Sequence, residues 1–220
     1  MYSHIKRFID IIGSLILLII CAIPMVLIAL KIKLTDSGPI LFKQERIGKD
    51  KHTFYMYKFR TMKIDAPDDV PTNMFENPDK YITEFGNQLR KTSLDELPQL
   101  INIIKGDMSL VGPRPVLLNE KELIELRDEY DANSVYPGLT GWAQINGRDT
   151  LTNEQKAFLD GEYVKQRSVL FDLKCLLGTF IPVIRQTNIV EGKIETDSQN
   201  ENDESQSTVT ATQKKIYSNS

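Results

Sequence analysis

Two adjacent carboxylates, Asp95 and Glu96, lie in the run Arg90-Lys-Thr-Ser-Leu-Asp-Glu-Leu-Pro-Gln. Neighbouring acids are common on solvated helix faces and indicate little by themselves. Here basic residues precede the pair, and the rigid sequence Gly112-Pro-Arg114-Pro follows it closely. We expect Asp95 to be ionised at neutral pH and to lie near cations. Such a carboxylate can act as a nucleophile or as a metal ligand.

The local sequence also suggests how the carboxylates are held. Ser93 and Glu96 fit the capping box Ser-x-x-Glu, a signature of a helix N-terminus. A helix start favours both carboxylates and bound phosphate. Pro98 would remove a backbone donor from the first turns, so the exact start of the helix stays open.

Four arginines lie in turns punctuated by Gly and Pro or at strand ends: Arg60, Arg90, Arg114 and Arg148. The planar guanidinium suits two-pronged contacts with phosphate. Any one of them alone is better explained as a surface or packing residue. Several around a carboxylate pair favour an anion-binding pocket.

These residues indicate phosphoryl transfer, with a divalent cation held by the acidic pair and arginines around the phosphates. Glycoside hydrolysis is the other reaction that uses two carboxylates. Glycosidases place them on opposite sides of the scissile bond, roughly 5–10 Å apart, which adjacent residues rarely achieve. Phosphoryl transfer therefore fits the pair better.

Residues 8–30 are almost wholly apolar and are long enough to enter a bilayer. A cleaved signal peptide fits poorly, because lysines rather than a small-residue cleavage site follow the stretch. Basic residues flank it on both sides and tend to stay in the cytoplasm, while Pro24 lies within it. We therefore expect residues 1–34 to form a re-entrant membrane helix broken at Pro24. A single pass with an extracytoplasmic N-terminus is the alternative.

The soluble part should carry few strands and several helices. Residues 39–62 read as a β-hairpin, with strands 40–47 and 53–60 around a polar turn. Residues 64–80 contain three prolines and read as a loop. Apolar spacing then predicts a helix that places Leu97, Leu100, Ile101 and Ile104 inward and ends at Gly106, followed by another over 118–131. The apolar residues 169–184 either complete the core or lie along the membrane surface.

The acidic net charge resides in one terminus. Residues 191–220 contain six acids and three lysines, which accounts for the whole formal charge of −3. We expect residues 189–220 to be a disordered polar tail and residues 35–188 to be the catalytic domain. Balanced charge in the remainder argues against nucleic acid as a partner. Two cysteines in apolar runs and two isolated histidines indicate neither a disulfide framework nor a zinc site.

Four motifs together resemble the bacterial sugar transferase family, the small monotopic phosphoglycosyl transferases. The resemblance covers about residues 5–188, and its motifs are Lys58-Phe-Arg-Thr-Met62, Arg90 to Leu100, Gly106 to Pro115, and Pro137 to Arg148. It implies an α+β fold that is mainly helical, with a small hairpin and membrane-surface helices. It also implies a location on the cytoplasmic face of the bacterial inner membrane. By this resemblance the chain corresponds to the short family members, which consist of the catalytic core alone.

The resemblance implies a specific reaction. Family members transfer a sugar 1-phosphate from a UDP-sugar to polyprenyl (undecaprenyl) phosphate, release UMP and require Mg²⁺. By carry-over Asp95 attacks the sugar-bearing phosphorus and forms a phosphosugar-aspartyl intermediate. Glu96 binds the metal together with Asp95 or manages a proton on the acceptor phosphate. Arg90, Arg114 and Arg148 match positions expected to contact phosphate or nucleotide.

Lys58 and Arg60 also match the family's motifs, but hairpin structure explains them better than ligand contact. A membrane-anchored scaffold and a cytosolic sugar-nucleotide hydrolase are the competing functions. The sequence selects neither the sugar nor the pathway, which is capsule, exopolysaccharide or glycoprotein synthesis. It also leaves open a homodimer.

Overall fold

The computed structural model describes residues 2–35, 37–66, 80–147 and 150–185, so the predicted tail over 189–220 lies outside the described residues. The expected α+β class is confirmed. In chain order the elements are α1 (Tyr2–Thr35), β1 (Leu41–Ile47), β2 (Thr53–Phe59), α2 (Glu84–Lys91), α3 (Gln99–Lys105), β3 (Ser109–Val111), α4 (Lys121–Asp128), β4 (Gly138–Thr140), α5 (Trp142–Ile145), α6 (Asn153–Gln166) and α7 (Val169–Arg185).

Strands β1 and β2 form the predicted hairpin. They pair antiparallel, with Leu41 opposite Phe59 and Ile47 opposite Thr53. A short 3₁₀ turn over Lys49–Lys51 joins them, and Asp50 there has a left-handed backbone with φ 52°. Because side chains alternate along a strand, Lys58 lies on the face opposite to Phe59.

Strands β3 and β4 form a second, parallel pair, with Ser109 opposite Gly138 and Val111 opposite Thr140. The pairing extends past β3, since Gly112 N donates to Thr140 O at 2.9 Å. A Cβ on Gly138 would lie 2.1 Å from Gly112 N, so these backbones approach too closely for any side chain there. The pair therefore brings two Gly- and Pro-containing segments into contact.

The main core lies between α3, β3, α6 and α7, where Leu100, Ile103, Tyr163 and Cys175 are almost fully buried. The predicted inward face of α3 is partly wrong, because Ile101 is 37% exposed and Ile103 is buried in its place. Helix α3 begins only at Gln99, after a 3₁₀ turn, and this shifts the phase of its buried face. Its predicted end is confirmed at Gly106, which has φ 102°.

Helix α1 is the one element, among the described residues, that is long and apolar enough to cross a membrane. The predicted break at Pro24 is not confirmed, because the helix is continuous over its 34 residues. A proline removes one backbone hydrogen bond and can kink a helix without ending it. At about 1.5 Å per residue a straight helix of this length extends about 50 Å, well beyond a hydrocarbon core of about 30 Å.

The N-terminal third of α1 is bound to the rest of the fold by polar contacts. Lys6 Nζ and Tyr2 Oη both donate to Asp172 Oδ2 of α7, at 3.0 and 2.8 Å. Asp10, which interrupts the apolar stretch, is buried and accepts from Ser109 Oγ and the Leu110 amide at the start of β3. These bonds satisfy an acid that would be costly to bury alone.

The C-terminal third of α1 packs on the same domain through apolar contacts. Ile28 and Ile32 are buried against Phe59 of the hairpin and Leu89 of α2. Between the two regions one face of the helix keeps contact, with Ser14 fully buried and Leu18 packed on the main core, while Ile23 on the other face is 74% exposed. Both ends of α1 therefore rest on one domain.

Helix α7 resolves the two interpretations of the last apolar segment. One side completes the core through Cys175, whose thiol pKa is raised to about 12 by burial. The other side exposes Leu170, Leu173 and Leu177. The core role is therefore confirmed for one face, and an apolar stripe covers the opposite face.

Candidate active site

The acidic pair lies in a 3₁₀ turn over Leu94–Glu96, between α2 and α3. Asp95 and Glu96 are each only 7% exposed. The predicted capping box is wrong, because Ser93 has a left-handed backbone with φ 55° and its side chain makes no capping bond. An N-cap residue needs an extended backbone. The pair thus lies before α3. A strained turn positions it, and not the N-terminus of a helix.

Two cations from different elements meet one carboxylate oxygen. Lys58 Nζ of β2 donates to Glu96 Oε1 at 2.9 Å. Arg114, four residues after Leu110, donates to the same oxygen through both Nη atoms at 3.4 Å. The Glu96 side chain is 10% exposed and that of Lys58 is 18% exposed, so the contacts are partly shielded from water.

The electrostatics connect Asp95 to the same cluster. Burial lowers the pKa of the Lys58 ammonium, and the charges of Glu96 and Asp95 work against that fall. Arg114 and Arg46 lower the pKa of Lys58 further. Two carboxylates and three cations therefore interact in one small volume.

Sequence reasoning missed Arg46 of β1. It lies opposite Phe54 in the hairpin, on the face that carries Lys58, and its Nη1 donates to Pro115 O at 3.3 Å. Burial and the neighbouring charge of Arg114 lower its pKa to about 10. The hairpin register would have placed it on the same face as Lys58, but the register could not be fixed from the sequence.

Two other predicted site residues, Arg90 and Arg60, make hydrogen bonds to residues that flank the hairpin. Arg90, in the last turn of α2, donates through Nε to Thr61 Oγ1 at 2.9 Å. Arg60 is buried and donates to Ser37 O at 3.3 Å, next to the end of α1. Arg148 lies outside the described residues. Lys58 thus contacts the acidic pair, while a ligand-binding role for Lys58, Arg60 and Arg90 stays a prediction.

The acidic pair suits a metal shared with substrate. Among the residues that the structure describes, no group of three or more His, Cys, Asp or Glu side chains could hold an ion. Mg²⁺ typically takes one or two carboxylates and completes its shell with water and substrate phosphate. Asp95 and Glu96 fit that type of site, and they do not fit an all-protein cage.

A family model described as bacterial sugar transferase matches residues 1–186. The chain belongs to the bacterial sugar transferase family. The matched region includes the acidic pair, Lys58 and Arg114, which the fold brings together.

Similar proteins come from several bacteria. The chain is 42% identical over 182 residues to a UDP-glucose:undecaprenyl-phosphate glucose-1-phosphate transferase of Escherichia coli K12, covering 80% of this chain and 39% of that protein. It is 35% identical to an undecaprenyl-phosphate galactose phosphotransferase of Salmonella typhimurium LT2, covering 83% and 41%. Uncharacterized sugar transferase EpsL of Bacillus subtilis 168 is 41% identical, with 84% and 93% covered. The chain thus spans about two fifths of the length of the first two.

Replacing Ser93 by glycine tests whether the strained turn positions the acidic pair. A left-handed backbone costs a non-glycine residue about 1–2 kcal/mol, part of which glycine's greater chain entropy offsets. Ser93→Gly should raise stability by up to about 1 kcal/mol in a melting experiment in detergent. It should also lower transferase kcat by about 3–10-fold, because the turn becomes less rigid.

Asp131→Gly is the matched control, since Asp131 has the same left-handed backbone with φ 56°. It should leave kcat unchanged. Equal kcat values for the wild type and Ser93→Gly would show that the turn does not position the pair.

Proposed function

We propose that this protein is a phosphoglycosyl transferase that moves a sugar 1-phosphate from a UDP-sugar to polyprenyl phosphate and releases UMP. The observation that carries the proposal is the buried acidic pair with Lys58 and Arg114 on Glu96. Relatives of the same family are named for this reaction with glucose and galactose donors. The product would begin a surface polysaccharide or glycoconjugate at the membrane.

The reaction proceeds in two displacements at one phosphorus. In the first, an oxygen of Asp95 bonds to the sugar-bearing phosphorus, and the bond to UMP breaks with its electron pair leaving on UMP. In the second, an oxygen of polyprenyl phosphate attacks the same phosphorus, and Asp95 leaves as a carboxylate. A covalent intermediate divides one difficult transfer into two easier ones. It also lets a soluble donor and a lipid acceptor use one small site in turn.

The cations make an anionic nucleophile compatible with anionic substrates. Lys58 and Arg114 hold one oxygen of Glu96 and place positive charge beside Asp95. Arg90 and Arg148 are assigned to donor phosphate or nucleotide on the family's motifs. Asp95 and Glu96 would hold Mg²⁺, which when bound neutralises phosphate charge. Glu96 is also suited to accept a proton from the acceptor phosphate.

The contacts of α1 support a re-entrant arrangement, which we propose together with a domain on the cytoplasmic face. Lys6 and Ile32, near the two ends of the helix, both rest on the same soluble domain. A straight single pass would put about 30 Å of hydrocarbon between them. The exposed stripe at Leu170, Leu173 and Leu177 would then lie in the membrane surface, beside the Lys6 contact with Asp172.

Release of UMP tests the proposed function. Purified protein in detergent or nanodiscs, with Mg²⁺ and polyprenyl phosphate, should release UMP from at least one member of a panel of UDP-sugars. Asp95→Asn should lower the rate at least about 10³-fold, because the nucleophile is lost. Silence across the panel would favour a scaffold, and full turnover without lipid would favour a hydrolase.

The lowered pKa of Lys58 predicts an alkaline limit to activity. Its charge is present below the folded-state pKa and is lost as the pH rises through that value, which lies under the ordinary 10.5 of lysine. The alkaline limb of kcat/KM should therefore move to higher pH in Lys58→Arg, since arginine stays protonated. An unmoved limb would show that Lys58 does not set it.

Lys105→Arg is the matched control for the pH profile. Lys105 lies in the last turn of α3 and bonds to Tyr57, on the hairpin face opposite to Lys58, and this hydrogen bond raises the pKa of Lys105. Its replacement should leave the alkaline limb where the wild type has it.

Thiol labelling tests the topology of α1. Ser3→Cys and Thr35→Cys, each in a chain lacking Cys21 and Cys175, place single thiols at exposed positions near the two helix ends. Both should resist a membrane-impermeant reagent in intact cells and react after the inner membrane is opened. Labelling of position 3 from outside would establish a single pass.

A further inference from the structure

Hydrogen bonds to three consecutive carbonyl oxygens fix the backbone at Arg114 and just after it. Arg114 O accepts from Arg127 Nη1 at 2.9 Å, and Pro115 O accepts from Arg46 Nη1 at 3.3 Å. Val116 O accepts from the Ile47 amide at 2.9 Å. The chain is thus fixed immediately after the residue whose guanidinium meets Glu96.

Arg127 is the most completely buried of these donors, with 4% of its surface exposed. Its Nε and Nη2 both donate to Asp160 Oδ2, at 2.8 and 2.6 Å. One edge of the guanidinium therefore binds α6, which carries Asp160, while the remaining nitrogen reaches the Arg114 carbonyl. Lysine has no such planar fork and could not make both contacts with this geometry.

A purely stabilising role accounts poorly for this pair. Burying two charges costs much of what their attraction returns, and an apolar pair of similar volume often packs as well. Asp160 Oδ1 is also buried without a hydrogen-bond partner in the part of the chain that the structure describes, which adds to the cost. The charged pair also makes a hydrogen bond to the Arg114 carbonyl, which an apolar pair could not make.

We propose that Arg127, oriented by Asp160, is a positioning residue for the transfer and acts through Arg114. It fixes the Arg114 backbone so that the guanidinium of Arg114 faces Glu96. Arg127 itself contacts the carbonyl of Arg114. Arg114 and Lys58 make the contacts with Glu96. The inference rests on the proposed function and adds two residues that the four motifs do not contain.

A double-mutant cycle between Arg127→Lys and Arg114→Ala tests it. Arg127→Lys should lower kcat/KM about 10-fold in the wild type, since misplacing a reacting contact is costly. In the Arg114→Ala background the same change should cost less than about 2-fold, because the residue it acts through is gone. Equal factors in the two backgrounds would overturn the proposal. Rates are divided by the folded fraction, measured by melting in detergent.

Arg7→Lys is the matched control. Arg7 also bridges two carbonyls, Ile104 O and Met108 O, which lie outside the three carbonyls that hold the Arg114 segment. Any loss it causes should be the same factor with and without Arg114. Asp160→Asn removes the charge that orients Arg127 and keeps the shape of the side chain. Combined with Arg114→Ala in the same kind of cycle, it should show the same coupling as Arg127→Lys.

The same cycle measured as UDP binding by calorimetry separates the two proposals. Wild-type protein that binds UDP but releases no UMP with any donor would overturn the proposed function. The coupling between Arg127 and Arg114 would still be read from the dissociation constants. Additive binding effects would overturn the positioning role alone.

Discussion

Burial of two adjacent carboxylates is the constraint on which the site depends. Ionised acids withdrawn from water need cations close by. Lys58 comes from the hairpin and Arg114 from the segment after β3, and both reach Glu96 Oε1. The hairpin, the parallel β3–β4 pair and the acidic turn are thus tied together through one oxygen atom. Small strands suffice for this, because each has only to present one or two side chains.

Helix α1 is connected to the same strands. Helix α1 is joined to the domain at both ends, by Asp172 and Ser109 near its start and by Phe59 near its finish. These contacts link the anchor directly to β2 and β3, the two strands that lead to Lys58 and Arg114. Under the proposed function, these contacts would keep the acidic site at a fixed height beside the bilayer, where a soluble donor and a lipid acceptor could use it in turn.

Local patterns predicted the hairpin and the end of α3 at Gly106, while the role of the acidic pair stays a prediction. What they missed depends on long-range geometry. The Ser-x-x-Glu spacing predicted a capping box, yet Ser93 adopts a left-handed backbone and α3 begins beyond the pair. Arg46 could be placed on the same face of the hairpin as Lys58 only once the strand register was known. Arg127 lies on an acid-rich helix whose sequence is typical of a solvent-exposed helix. Its counterion Asp160 is 33 residues away in sequence, so local patterns could not identify it.

The most direct test of the covalent account is the intact mass of the protein after incubation with Mg²⁺ and a UDP-sugar, without lipid acceptor. The donor is one that supports UMP release when polyprenyl phosphate is present. The account predicts a mass gain of one sugar phosphate, absent from Asp95→Asn and lost again when the lipid is added. An unmodified mass in protein that turns over the same donor rapidly with lipid, or an equal gain in Asp95→Asn, would contradict Asp95 as the nucleophile.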